Sequence, residues 1–399
     1  MVRGVPVVMY HGVGPVISDW VWNYLNIPIS TFEGQMRILK EKGWTTITLT
    51  QLYNHMVKGD PLPDKPIVLT FDDGYLNNWV NAYPILRKYG YRAVIWMSTD
   101  FVDPHPVVRP TLEDVWQGRL HMEELPTAGF LSWKEMKIMV ESNVVEIQSH
   151  AKTHTWYFSG PQIIDFHRPT GAEGYIPYLW LAWNLFPERK FEYMTANLEK
   201  HVPYGTPVYA YDKSLNGRRY FEDKALKRRL VQHVADCGED SFFARADWRN
   251  ELMSIVEKYP PKDDRFESNV EYEDRVREEL IESQRTIEEI LGTSVKFLCW
   301  PGGAFNRTTL RIAEEVGYVA TTMHYQGQER RNIYGQNPRE INRIGCGTPW
   351  KWRGLRVFRT DPGFFLAVLN DFKGDRSSIW KMRLYKLKYA FRHYLFGNA

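Results

Sequence analysis

The chain has 399 residues, 43% of them hydrophobic and 25% charged, with a net charge of +3. That is globular composition, long enough for one large barrel-like domain or two smaller ones, and the near-balanced charge gives no field of the kind that draws nucleic acid. Cys237, Cys299 and Cys346 form neither a disulfide framework nor a paired metal-ligand spacing. With no secretory signal read between Met1 and Pro6 and no run of 18 apolar residues, the expectation is a cytoplasmic, reducing setting without a spanning helix.

Residues 5 to 12, VPVVMYHG, open with a short apolar strand. An amphipathic helix is expected next, with Ser30 as N-cap, Glu33 completing a capping box, and Phe32, Met36 and Leu39 on one face. Gly43 ends it before the β-rich run Trp44 to Leu49. The strand at 66 to 71 leads into a helix over Leu76 to Tyr89, which Pro84 should kink or divide, and then into the run Tyr91 to Met97. The same unit recurs as helix Trp133 to Ser142 with strand Val144 to Ser149. It returns as helix Glu273 to Leu291 with strand Val295 to Trp300, and as helix Thr309 to Val316 with strand Tyr318 to Met323. Strands that alternate with helices and read as continuous apolar runs imply a parallel sheet covered on both faces. The expected fold is α/β, a (β/α) barrel that is distorted or incomplete and carries a large inserted region. A doubly wound open sheet is the alternative. The expected division is a barrel from 1–155 and 270–345, an aromatic-rich insertion from 156–269 and a basic C-terminal extension from 346–399.

Four strand ends carry the chemistry. Asp72 and Asp73 follow the strand at 66 to 71, and two adjacent carboxylates need a cation or a shared proton, although Asp-Asp-Gly also makes an ordinary turn. His150 and His154 follow the strand at 144 to 149. Four apart, they share a face if the segment makes a helical turn, and two imidazoles with a carboxylate form a sound ligand set for zinc or another divalent metal. Gly302 and Gly303 end a third strand, where glycine lets backbone approach a ligand or simply makes a tight turn. Tyr10, His11 and Gly12 end a fourth. In barrels the active site lies at the carboxyl ends of the strands, so the coincidence of these groups at strand ends points to one site.

Thr70-Phe71-Asp72-Asp73-Gly74, Ser149-His150-Ala151-Lys152-Thr153-His154 and Cys299-Trp300-Pro301-Gly302-Gly303 together resemble the motifs of the polysaccharide deacetylases of carbohydrate esterase family 4. The opening Val8-Met9-Tyr10-His11-Gly12 is similar to the permuted branch that includes the poly-N-acetylglucosamine deacetylases. The resemblance covers about residues 5 to 155 and 270 to 345. It implies one divalent metal, zinc first among the candidates, held by Asp73, His150 and His154. It further implies Asp72 as general base, the Gly302 backbone N–H as oxyanion donor and His11 as the acid that protonates the leaving amine. The family's third motif carries an arginine paired with the catalytic aspartate. Cys299 stands in that place, and Arg343 is the candidate substitute, since a guanidinium can hold a carboxylate. The implied reaction is removal of N-acetyl groups from a carbohydrate. The alternatives are O-acetyl ester hydrolysis, or glycan binding by an inactive site, which the complete set of candidate residues disfavours.

The aromatic stretches Tyr175 to Trp183 and Tyr204 to Tyr211 would either wall the cleft or form a subunit interface; the sequence does not fix the oligomeric state. Residues 379 to 396, IWKMRLYKLKYAFRHYLF, read as a basic amphipathic helix with Trp380, Leu384, Leu387, Phe391 and Leu395 on its apolar face. Lys381, Arg383, Lys386, Lys388 and Arg392 supply positive charge, and the stretch has no acidic residue. Peripheral contact with the inner face of an anionic membrane is the expectation there, against a helix docked on the barrel with its lysines in water.

Overall fold

The computed structural model describes residues 4–15, 20–169, 176–261, 265–324, 331–345, 350–352, 355–357 and 361–396. Cys346 and Tyr175 lie outside these residues, as do the side chains of Arg392 and Leu395. The main strands in chain order are β1 (Val7–Tyr10), β2 (Pro66–Phe71), β3 (Ala93–Met97), β4 (Val145–Ser149), β5 (Trp156–Phe166), β6 (Pro207–Lys213), β7 (Phe297–Leu298), β8 (Ala320–His324) and β9 (Glu340–Gly345).

Seven of them pair in parallel, in the order β1-β9-β8-β7-β4-β3-β2, and β2 returns to pair with β1. The sheet is therefore a closed barrel, not an open doubly wound sheet. Its seam joins the start of the described chain to its far end, with Val8 beside Ile344 on one side and Leu69 on the other. Strand residues alternate between the two faces, as a pleat requires. Val7, Val68, Val94, Trp96, Phe297, Cys299 and Ile341 form one buried cluster, and Val8, Leu69, Ile95, Ile147 and Leu298 join the larger cluster under the helices. The first set fills the barrel; the second is the helix-facing side.

That parity sets the position of the site. Two residues beyond inward-facing positions come His11 (after Val7 and Met9), Asp72 (after Val68 and Thr70), His150 (after Glu146 and Gln148) and Arg343 (after Ile341). The barrel's own alternation aims them at the axis.

Several boundaries differ from the sequence reading. The first helix, α1, is Ile29–Glu41, so Ser30 lies inside it; Pro28 holds the N-cap position and no side chain caps it. Of Trp44 to Leu49 only Thr45–Thr46 is strand. A helix, α2 (Leu49–Lys58), starts there because Thr48 and Gln51 form a capping box. Pro84 falls where a π-helical turn, Asn78–Ala82, gives way to α3 (Tyr83–Tyr89). Next comes α4 (Trp133–Glu141). The expected strand Val295 to Trp300 shrinks to β7. Beside it the Gln148 side chain accepts from the backbone N–H groups of Lys296 and Phe297, both at 2.9 Å, in place of a backbone partner. The sequence reading assigns β9 to no element; its inward Arg343 and the Asn342 beside it break the apolar run that marks the other strands.

The inserted region pairs β5 with β6 in an antiparallel hairpin. It adds α5 (Ile176–Leu185), α6 (Lys224–Asp236) and α7 (Trp248–Lys258). Phe166, Leu226, Leu230, Val234, Phe242 and Leu252 form a separate apolar cluster. The barrel helices α8 (Asn269–Leu291) and α9 (Arg307–Val316) follow, and the chain ends with the hairpin of α10 (Pro362–Phe372) and α11 (Ser377–Phe396). Among the described residues no helix is long and apolar enough to cross a membrane.

Candidate active site

Each key residue is pinned by a hydrogen bond to the neighbouring strand. Asp72 N donates to Tyr10 O at 3.0 Å, His150 N to Met97 O at 2.9 Å and Cys299 N to Ser149 O at 2.9 Å. Asp73 then turns back on itself with φ of 72°. Gly74 follows at φ 73°, where a Cβ would stand 2.1 Å from Met97 Sδ. Only glycine fits there, and this fixes the direction in which the Asp73 carboxylate leaves the strand.

His150 and His154 are brought together, but not by a helical turn. The segment between them is irregular, with Ala151 at φ 58° and His154 at φ 40°. Three buried polar contacts hold it. The Lys190 ammonium, 2% exposed, donates to Thr153 O at 2.8 Å and pairs with Asp100 at 2.8 Å. Glu279 on α8 accepts from Thr153 Oγ1 at 2.8 Å, and Ser98 Oγ donates to His150 O at 3.0 Å. None of Lys190, Asp100 or Glu279 was singled out from the sequence. A lone lysine in an aromatic insertion gives no local signal that it will be buried.

His150 Nδ1 lies 2.8 Å from Cys299 O, which leaves Nε2 facing the cavity. His150 Nε2 and His154 Nε2 stand 3.2 and 3.3 Å from the same oxygen, Asp73 Oδ1. That oxygen is buried and has no hydrogen-bond partner among the described residues. An orphaned carboxylate oxygen facing two imidazole nitrogens fits a divalent cation, and Asp73, His150 and His154 lie close enough to share one. Burial works to raise the Asp73 pKa, but His154 and then His150 outweigh it, and the carboxyl is held well below the usual carboxylate range.

Asp72 is buried and paired with Arg343, Nη1 to Oδ1 at 2.6 Å. Cys299 Sγ approaches the other oxygen at 3.7 Å, and His11 Nε2 lies 3.9 Å from it. Burial opposes ionisation of Asp72, yet Arg343 leads a set of positive neighbours that keeps its pKa below the ordinary value. For His11 burial dominates and lowers the pKa; Asp72 and Asp73 pull the other way. Gly302 (φ 53°) closes one side, and its carbonyl accepts a hydrogen bond from Lys213 Nζ on β6. All seven predicted residues, His11, Asp72, Asp73, His150, His154, Gly302 and Arg343, line one cavity of about 240 Å³. The barrel adds Phe101 to its wall and the inserted region adds Trp156, Trp183 and Tyr193.

A family model described as polysaccharide deacetylase matches residues 59–170 and 261–321. Among curated proteins, one of Bacillus subtilis named "Putative polysaccharide deacetylase YxkH" is 35% identical over 92 residues, 23% of this chain and 31% of that protein. The poly-beta-1,6-N-acetyl-D-glucosamine N-deacetylase of Escherichia coli K12 is 28% identical over 154 residues, 39% of this chain and 21% of that one. The chain thus spans a third or less of the length of these two relatives. A solved de-N-acetylase from Aggregatibacter actinomycetemcomitans superposes with a TM-score of 0.48 at 18% identity, covering 88% of this chain and 97% of that one.

Proposed function

From the premise that this chain carries a polysaccharide deacetylase domain, we propose that it is a metal-dependent hydrolase removing N-acetyl groups from a carbohydrate. One observation carries the reading: a buried Asp72 paired with Arg343 stands beside a three-residue ligand set whose central oxygen, Asp73 Oδ1, has no hydrogen-bond partner among the described residues.

The residues divide the work. Asp73, His150 and His154 hold the cation, and their nitrogen and oxygen donors suit zinc. When bound, the cation would polarise the amide carbonyl and make a nearby water easier to deprotonate. Asp72, kept ionised by Arg343, takes the proton of the attacking water. His11, 3.9 Å from the Asp72 oxygen, begins neutral because burial lowers its pKa; it takes over the proton that Asp72 has accepted from the water and passes it to the departing nitrogen. An amine leaves poorly without that proton, and positioned acid–base groups contribute about 10²–10⁴-fold. Gly302 lines the same cavity, and its backbone N–H is the donor assigned to the developing oxyanion. The Trp156, Trp183 and Trp300 rings line the cavity and suit a sugar substrate that stacks on flat aromatic faces.

The test is acetate release from N-acetylated oligosaccharides, sugar nucleotides and lipid-linked sugars by the purified protein. Release should stop on chelation, return with added zinc, and be absent from Asp72→Asn protein that still binds zinc stoichiometrically. Zinc-loaded protein that frees no acetate from any N-acetylated glycan would sink the reading. Loss of zinc by Asp72→Asn would reverse the base and ligand assignments.

A further inference from the structure

The C-terminal hairpin supplies a second surface. One side of α11 packs on α10, with the Tyr385 and Tyr389 rings 5.9 and 6.3 Å from Phe364. The opposite side is apolar and bare: Trp380, Leu384, Leu387 and Phe391 are 67%, 65%, 59% and 65% exposed. Their spacing of four, three and four makes one continuous stripe. A docked helix ordinarily turns such residues inward, so a stripe left in water marks a contact surface. Beside it a groove of about 400 Å³ opens between α10 and α11, lined by Leu366, Ala367 and Leu384 together with Lys381 and Lys388. The Arg383 guanidinium lies 4.9 Å from the Trp380 ring centre.

We propose that this face of α11 docks on an anionic lipid bilayer. The charge pattern selects that occupant. Basic side chains flank the stripe, and residues 377 to 396 contain no aspartate or glutamate. A second copy of the chain laid on the same stripe would set lysine and arginine against their like, with no acid to offset them. Nucleic acid would match the charge but leave four large apolar side chains in water. An anionic bilayer meets both demands: headgroups pair with the cations while the aromatic and aliphatic groups enter the interfacial layer.

The hairpin also sets the approach. Phe372, at the end of α10, accepts from Arg331, whose own carbonyl accepts from Val5 just before β1. So α11 starts at the amino-terminal end of the barrel strands and runs back along α10 toward the end where the site opens. A barrel lying on its flank against the bilayer keeps that opening near the lipid surface.

Vesicle co-sedimentation of the full chain tests this. Vesicles of phosphatidylcholine mixed with phosphatidylglycerol should carry the protein down, those of phosphatidylcholine alone should not, and added salt should release it. Lys381→Gln and Lys388→Gln should each weaken binding by about fivefold. The triple variant Trp380→Ser/Leu384→Ser/Leu387→Ser should lose binding while keeping the wild-type melting temperature, since these side chains touch water. Absence of binding by the wild type, equal binding to both vesicle types, or full binding by a folded triple variant would each overturn the proposal. So would a dimer that forms without lipid and dissociates in the triple variant, because the stripe would then belong to a second copy.

Discussion

The barrel and the inserted region contribute to the same cavity by different physical means. The barrel's residues are placed by strand parity and inter-strand hydrogen bonds, so His11, Asp72, His150 and Arg343 converge although they lie far apart in sequence. The inserted region's residues are placed by aromatic packing: the Trp183 ring lies 5.0 Å from Tyr193 and 5.1 Å from Phe101. Rigid elements set the reacting groups, while a packed addition shapes the wall and, through Lys190, steadies the loop of His150 and His154. Precision and adaptability are thus assigned to different parts of the chain.

His11 offers the sharpest way to break that division, with the largest expected effect. His11→Ala should lower turnover of an N-acetyl amide by about 10²–10⁴-fold and leave an activated aryl acetate far less affected, because a phenolate departs without protonation. Trp183→Ala should instead act mainly on KM. Equal losses of His11→Ala on both substrates would make that histidine a structural or binding group.

Lys190 tests the one point where the inserted region controls the barrel. Lys190→Met leaves the Asp100 carboxylate without its buried partner, a change that typically costs about 3–5 kcal/mol. Urea melts should show the loss, and zinc titration should show weaker binding as Thr153 is freed. A variant with unchanged zinc affinity would reduce Lys190 to a packing role.

The smallest effect separates the two regions by pH. His167, buried in the inserted region with Nδ1 3.4 Å from Pro203 O, has its pKa pulled down by burial to about 4. Its neutral form is the one that fits. The stability it contributes is complete above its unfolded value near 6.5 and is lost as pH falls toward 4, up to about 3 kcal/mol. Hydrogen exchange in β5 and β6 should accelerate over that window while exchange in β2 and β3 changes less, and His167→Phe should flatten the difference. The same acid response throughout the chain would contradict a locally seated cause.

Much of this architecture could be read before the coordinates. Strands β2 and β3 are buried on both sides and announce themselves as unbroken apolar runs, and the Asp72-Asp73 and His150–His154 motifs mark their own strand ends. β9 escaped because Arg343 and Asn342 are polar residues in a buried strand: Arg343 is paired with Asp72, and the Asn342 backbone is held by Asn332, whose Nδ2 donates to Asn342 O at 2.8 Å. α5 escaped for the opposite reason. IPYLWLAWNL is apolar nearly all round, so no period shows, and the burial of Tyr178, Trp180, Leu181 and Trp183 explains why none is needed. The loop between His150 and His154 could not be read at all, since its left-handed residues are imposed by Lys190 and Glu279 from distant positions. Arg343, by contrast, is legible only through the resemblance, as the candidate for the motif arginine whose place Cys299 takes.

The barrel's seam has a consequence for how the protein comes into being. Val8 lies between Leu69 and Ile344, the second of which is synthesised far later than the first. Sheet pairing across nearly the whole chain is slow, because the entropy of closing the intervening loop is lost before any contact rewards it. A nascent chain will therefore display β1 as an open sheet edge, ready to pair with a stranger, until β9 leaves the ribosome. Arg343 arrives on that same last strand, so Asp72 acquires its counter-charge only when the edge is sealed. Closing the barrel and pairing Asp72 with Arg343 are one event.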